Sequence, residues 1–256
     1  MAIDFNKMKQ KLNQLQGNGG DSSSTQNVFW KPQEGDQSIR VVCPEDGDPF
    51  KQFFFHYGVG KNPGFLCPKK MHGKDCPVCN FAWSTYNDAK AAGDTETLKF
   101  CKTLFAKERF FSPVVGRGEE EQGIRLWGYG KTAYGEMIGL VTNPDYGDIT
   151  DIDAGTDLVL NYGKPAGAQF PVTKITPRRR PSALAEDSAE VSRILDTMPS
   201  FTENFNSKTT EEIETMLADF LNAEAGSSTT DNSTGTVQYS NSETSDVDAA
   251  FNELLS

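Results

Sequence analysis

Cys67, Cys76 and Cys79 stand close together in the chain, and the last two form a Cys76-Pro77-Val78-Cys79 turn. A C-x-x-C turn lets two thiolates grip one tetrahedral ion, and Cys67 offers a third sulfur. A histidine completes the set. Three cysteines and one histidine make a closed structural zinc site, with no open position for a substrate. Such a site organises a surface and performs no chemistry of its own. The chain has two histidines, and spacing alone does not choose between them. His56 follows Phe53, Phe54 and Phe55, a strand-like run that would hold it rigid. His72 lies between Cys67 and Cys76, in a polar Lys/Gly stretch that reads as an exposed loop.

Other uses of these cysteines fit less well. No apolar stretch near Met1-Ala2-Ile3-Asp4-Phe5-Asn6 could serve as a signal peptide, so an oxidising compartment and a disulfide framework are not expected. A C-x-x-C pair alone is also a thioredoxin-like redox motif, but the third cysteine and the nearby histidine favour zinc. Cys43 and Cys101 fall outside the window and read as small buried apolar residues rather than ligands.

Enzyme signatures are poor. Gly58-Val59-Gly60-Lys61 lacks the spacing of a phosphate loop, and Asn62 stands where Ser or Thr would follow the lysine. Zinc deaminases need H-x-E and P-C-x-x-C, yet Gly58 lies two residues after His56 and Asp75 precedes Cys76. Two histidines leave little material for acid–base work. The chain is expected not to be an enzyme.

The elements that must carry the site come next. The length of 256 residues suits one large domain or two small ones, and no stretch approaches the ~20 apolar residues of a membrane span. A soluble, intracellular protein with no membrane partner is expected. The net charge of −11 at first argues against nucleic acid. Its distribution reverses that impression. After Lys208 no Lys or Arg follows, against ten Asp or Glu, whereas Lys51 to Lys131 holds thirteen basic and eight acidic residues. Segregation of this kind marks a folded body with a separate acidic interaction tail.

Ile3 to Leu15 has helical periodicity, with Phe5, Met8, Leu12 and Leu15 on one stripe and Lys7, Lys9 and Lys11 on other faces. With the Gly/Ser linker that follows Gly17, residues 1–20 read as a mobile basic arm, too short to fold alone. Val28 to Lys31, Ser38 to Val42, Lys51 to His56, Thr103 to Val115, Ile124 to Tyr129, Leu158 to Tyr162 and Gln169 to Ile175 read as strands. Helices are expected after the Cys76 turn to Ala92, over Lys131 to Val141, Ala185 to Thr197 and Thr209 to Asn222, the last capped by Thr209 or Thr210. Short, irregularly spaced strands with peripheral helices predict a mainly β (α+β) fold. Its core is an OB-type barrel over residues 21–222, with an inserted zinc-binding subdomain at about 51–90. Residues 223–256 are Ser/Thr/Asn/Gly-rich and expected to be disordered. They end in acidic residues alternating with Phe251, Leu254 and Leu255, the composition of a docking peptide.

Binding a single strand requires cations that follow phosphates and aromatic faces on which bases stack. Lys107, Arg109, Phe110 and Phe111 place both types together, and Arg125, Trp127, Tyr129 and Lys131 do so again. Arg125, Trp127 and Tyr129 share one face of a strand, and Phe110 and Phe111 point opposite ways, so at most one of the two can face DNA. Arg178 and Arg179, in a basic run between Pro177 and Pro181, make a third site.

The order of these features resembles the gene 32-type single-stranded DNA-binding proteins of T-even-like bacteriophages. Lys9-Gln10-Lys11-Leu12 through Gly17-Asn18 is similar to their self-association arm, and Trp30-Lys31 with Ile39-Arg40-Val41 to their first strands. His56, Cys67, His72-Gly73 and Cys76-Pro77-Val78-Cys79 resemble their zinc subdomain. The resemblance implies that His56, not His72, is the fourth ligand of one structural zinc. Ile124 to Lys131 and Gly167 to Lys174 are similar to segments near the family's DNA groove, and the acidic end to its partner-binding tail. The implied function is cooperative, sequence-independent coating of single-stranded DNA in viral replication, recombination and repair, in the cytoplasm of an infected bacterial host. Lys7, Lys9, Lys11 and Leu12 would join neighbouring copies. Phe251, Leu254 and Leu255 would hold replication and recombination proteins. The rival readings are a zinc-stabilised adaptor that binds only proteins in phage transcription, and a zinc hydrolase or deaminase.

Overall fold

The computed structural model describes residues 28–60, 64–168, 170–205 and 207–227. The expected arm (Lys7, Lys9, Lys11, Leu12) and the docking residues Phe251, Leu254 and Leu255 lie outside the described residues. The fold is mixed α/β, an eight-stranded sheet with several helices.

Strand β5 (Lys107–Gly116) is the spine of the sheet. It is buried from Arg109 onwards on both faces, as its run of apolar residues requires. Along one edge it pairs antiparallel with β6 (Arg125–Tyr129), from Phe110 opposite Tyr129 to Val114 opposite Arg125. Strand β1 (Phe29–Trp30) lies parallel to β6 on the far side. Two strands share the other edge. Strand β3 (Lys51–His56) covers Lys107 to Phe111, and β2 (Gly35–Val41) covers Val114 to Gly116. Pro113 sits at the changeover. Its carbonyl accepts from the Val42 N–H at 2.9 Å, and its missing N–H falls where β3 has already ended. A proline is thereby accommodated in a central strand without losing a ladder bond.

Beyond β2 come β7 (Leu158–Gly163) and β8 (Val172–Pro177), both antiparallel, while β4 (Phe65–Leu66) pairs with the end of β3. Helices follow in chain order: α1 (Pro68–His72), α2 (Pro77–Ala92), α3 (Thr95–Leu104), α4 (Lys131–Val141), α5 (Ser188–Leu195), α6 (Phe201–Asn204) and α7 (Thr210–Ser227). Alternation along β5 divides the interior. Phe110 and Val114 enter a cluster with Trp30, Trp127, Tyr129 and the buried side of α4, Ala133 and Met137. Phe111 enters another with Phe29, Phe55, Leu126 and Phe205.

A buried ionic clamp ties the sheet to the segment after β8. Arg40 is 1% exposed and pairs with Asp157, donating also to the carbonyls of Asp151 and Ser182 at 3.0 and 2.7 Å. Arg117 holds the same carboxylate at 2.8 Å. Gly155 is obligatory beside it, because a Cβ there would meet the Asp151 carbonyl and come within 2.7 Å of the Arg40 guanidinium.

Several boundaries differ from expectation. Thr103 and Leu104 end helix α3 rather than beginning a strand. Leu98, Cys101 and Leu104 repeat at helical steps, and the Asp94 carboxylate accepts from the N–H groups of Glu96 and Thr97. Strand β8 starts at Val172, later than expected. Helix α7 runs to Ser227, past the expected start of the tail. Its N-terminus is a reciprocal cap: Thr209 Oγ1 accepts from Glu212 N at 3.2 Å, and Glu212 accepts from Thr209 N at 2.7 Å.

Candidate metal centre and a cleft in the curled sheet

His56, Cys67, Cys76 and Cys79 converge in the interior, with all four ligand atoms within 4.8 Å of one another. His56 Nε2 lies 3.4 Å from both Cys76 Sγ and Cys79 Sγ, and Cys67 Sγ lies 3.5 Å from Cys79 Sγ. A tetrahedral ion with bonds of about 2.0–2.3 Å needs ligand–ligand edges of roughly 3.5–3.8 Å, close to these separations. A disulfide needs about 2.05 Å between sulfurs, and all described cysteines are free. The cluster could hold one metal ion. His72 is elsewhere, exposed at the end of α1 with Nε2 2.9 Å from Ser207 Oγ.

Local structure explains the convergence. Cys67 and Cys76 are the N-cap residues of α1 and α2, and each is followed by a proline at the first helical position. Proline suits that place because its φ is preset and its absent N–H would have no partner there. The Lys70 N–H points at Cys67 Sγ from 3.4 Å. Cys79 follows in the first turn of α2, so the C-P-V-C turn is a strand-to-helix corner. His56 closes β3. Its Nδ1 is 2.8 Å from the Leu104 carbonyl, which as acceptor fixes the proton on Nδ1 and leaves the Nε2 lone pair facing the sulfurs. Val59, Phe65, Val78, Ala82 and Leu104 pack around the cluster, with Ile213, Met216, Leu217 and Phe220 of α7 closing it.

The protonation states of the four side chains depend on one another. Hydrogen bonds from Cys76 and Cys79 hold the Cys67 thiol far below its ordinary range, while hydrogen bonding to Cys67 and Cys76 pushes Cys79 far above it. Burial pulls His56 down, but hydrogen bonds to Cys67 and Cys76 outweigh that and raise it to about 9. Three buried sulfurs cannot all be thiolates without a positive charge among them, and a bound ion supplies one.

A second feature lies where the two ends of the sheet path meet. A cleft of about 500 Å³ is lined by Trp30 and Lys31 from the β1 side, Trp127, Gly128 and Tyr129 of β6, Gly130 just after it, Tyr162 of β7 and Thr173 of β8. The sheet is therefore curled, bringing β1 and β6 opposite β7 and β8. Arg109 also lines the cleft. Its guanidinium passes in ordinary van der Waals range of Gly130, 3.7 Å from where a Cβ there would be.

The expected nucleic-acid residues divide on this geometry. Arg109, Trp127 and Tyr129 line the cleft, and Lys131 stands exposed beside it, between lining residues Gly130 and Thr132. The aromatics expected to stack on bases are core residues. Phe110 is 3% exposed and stacked on Tyr134 at 3.8 Å; Phe111 is fully buried against Phe29 and Phe53. Trp127 and Tyr129 are 1% and 4% exposed. Tyr129 Oη is 2.7 Å from Ser112 Oγ, and burial raises its pKa. The alternation placed Trp127 and Tyr129 on one face correctly, but that face belongs to the core. Among the cations, Arg125 is paired with Glu119, Lys107 donates to the Lys102 carbonyl at 2.8 Å, and Arg178 donates to Ser38 Oγ at 2.8 Å. Arg179 is exposed away from the cleft lining. Lys31 and Tyr162 are lining residues that the sequence reading did not select. Lys31 carried the same signal, a cation beside an aromatic, whereas Tyr162 had none.

No protein-family model matches the chain, and a search of curated proteins found no match. Among the described residues no helix is long and apolar enough to cross a membrane.

Proposed function

We propose that this chain is a non-enzymatic protein that binds single-stranded DNA without sequence preference and is held by one structural zinc ion. The observation that carries the reading is the cleft, where Lys31 and Arg109 stand among Trp30, Trp127, Tyr129 and Tyr162. Single-strand binding combines cations that track phosphates with aromatic faces on which bases stack. Tyr162 is half-buried at the cleft, beside a rigid wall formed by buried Trp127 and Tyr129. On this reading the curled sheet is an OB-type barrel carrying a metal-binding subdomain.

The donor set supports zinc. Three thiols with one imidazole, all buried and within 4.8 Å of one another, suit zinc rather than the oxygen-seeking magnesium or calcium. Cys67, Cys76, Cys79 and His56 would hold the ion, which would supply cohesion to β3, α1, α2 and α7. The wider role follows from the family resemblance. It comprises cooperative coating of exposed strands through Lys7, Lys9, Lys11 and Leu12, and recruitment of phage replication and recombination proteins through Phe251, Leu254 and Leu255. It would operate in the cytoplasm of an infected bacterium.

A binding titration comparing single-stranded with duplex DNA across salt concentrations tests the reading. Single strands should bind more tightly, with log K falling by about 0.7 per phosphate contact for each unit of log salt. Equal affinity for duplex, or no binding, would overturn the proposal and favour an adaptor that binds proteins.

A further inference from the structure

Of the three tryptophans, Trp30 and Trp127 are buried, but Trp83 on α2 is 52% exposed. It is not loose on the surface. Its indole packs on Phe105 with ring centroids 4.6 Å apart and planes inclined by 39°, and it meets Tyr86 edge-on at 6.0 Å. Tyr86 and Phe105 touch in turn at 5.7 Å. One side of the indole is thus braced by two aromatics, and the remainder faces water.

Two lysines border this patch. Trp83, Tyr86 and Lys90 share a face of α2 at three- and four-residue steps, with uncharged Asn87 beside them. Lys102 lies one turn before Phe105. Lys90 and Lys102 are exposed, and among the described residues neither makes an ion pair. The patch also lies near the cleft. Phe105 precedes the cleft-lining Arg109 by four residues, so their Cα atoms are at most about 14 Å apart. Lys107 falls between them.

We infer that Trp83, braced by Tyr86 and Phe105 and flanked by Lys90 and Lys102, is a second stacking platform for single-stranded nucleic acid, lying outside the cleft on the metal-binding part of the fold. The inference rests on reading the cleft as the primary single-strand site. Every base has a π-face, so an aromatic ring beside free cations accepts a strand whatever its sequence. The ordered packing beneath the indole means that little side-chain freedom is lost when a base lands on it.

The full chain carries its own probe, because acrylamide should quench exposed Trp83 well before Trp30 or Trp127. Oligothymidylates of about four and about sixteen nucleotides bracket the usual site sizes of single-strand-binding barrels. The short one should fill the cleft alone. The long one should reach the patch and shield Trp83 from acrylamide. Trp83→Ala should weaken the long oligomer about tenfold and the short one little, at unchanged salt slope, and Trp83→Phe should restore most of the loss. The melting temperature of Trp83→Ala, read alongside, reports whether the variant is folded. If it is not, shielding in the unaltered protein decides alone. Unchanged quenching with the long oligomer bound, or a folded Trp83→Ala that binds both lengths like the unaltered protein, would overturn the inference and leave the patch to a protein partner. If the unaltered protein bound neither oligomer, the cleft reading itself would fail, which is a different result.

Discussion

The four side chains of the metal cluster all come from the stretch between His56 and Cys79, whereas the residues lining the cleft are drawn from Trp30 to Thr173. The cluster closes short loops at small entropic cost, and its geometry is set by two helix N-caps and one strand end. The cleft depends on long-range strand pairing and on the curl of the sheet. A centre built locally can be lost by removing one ligand, with damage confined to what packs on it. A cleft built from distant strands shares its wall with the core, so an attack on the wall is also an attack on stability.

The largest effect should follow from Cys79→Ser. Structural zinc contributes about 10–16 kcal/mol of apparent binding energy in small peptides, and a larger domain needs less of it. Bound metal should fall from one ion per chain to none, with amide exchange rising along β4, α1, α2 and α7 while β2 and β7 stay protected. His72→Ala should keep its metal. Retention of metal by Cys79→Ser and its loss from His72→Ala would exchange the roles assigned here.

Next in size are changes to the frame of the cleft. Trp127→Ala should cost about 3–5 kcal/mol in urea unfolding, as for other buried aromatics. Arg40→Ala should cost less, at most about 3 kcal/mol, because Arg117 and Ser182 still hold the Asp157 carboxylate. Both should leave metal content intact. A stable Trp127→Ala protein that binds DNA poorly would show instead that this ring meets a base directly.

Smaller again is Tyr162→Ala. Its half-exposed ring should contribute about 1–3 kcal/mol to single-strand affinity, with stability little changed. An unaltered affinity in titration would remove Tyr162 from the site. Smallest is Lys31→Ala, which should reduce the salt slope by about 0.7 if it meets one phosphate. A slope equal to that of the unaltered protein would make Lys31 a bystander at the cleft mouth.

How much could be read in advance follows the same division. The C-P-V-C turn, the third cysteine and the Phe-rich strand ahead of His56 announced the metal cluster because their spacing is their geometry. Residue reading left His56 and His72 as rivals, and the family resemblance named His56. In the fold, the Leu104 carbonyl orients the His56 imidazole, while α1 carries His72 outward. Helix α4 and strand β3 were legible to the residue, the helix from its apolar spacing and the strand from its run of phenylalanines after a Gly/Asp/Pro-rich turn. Helix α3 was not, because its Thr-rich sequence has strand-like composition and only its Asp94 cap and apolar period betray it. For Phe110, Phe111, Trp127 and Tyr129 the limit was different: all four are buried, and Trp127 and Tyr129 line the cleft as well. Period-two alternation groups side chains by face but says nothing of which face is covered.

The sequence by itself determined the three cysteine ligands, the alternation of the strands and the separation of a locally basic middle from an acidic end, because these are properties of neighbours along the chain. Tertiary structure alone decided which faces became core, that β1 and β6 curl round to meet β7 and β8, and that Tyr162 and Arg109 share a cleft. Those outcomes depend on pairings between residues more than a hundred positions apart, such as Arg40 with Asp157. No local pattern encodes them, because they are settled when the whole chain buries its apolar surface at once.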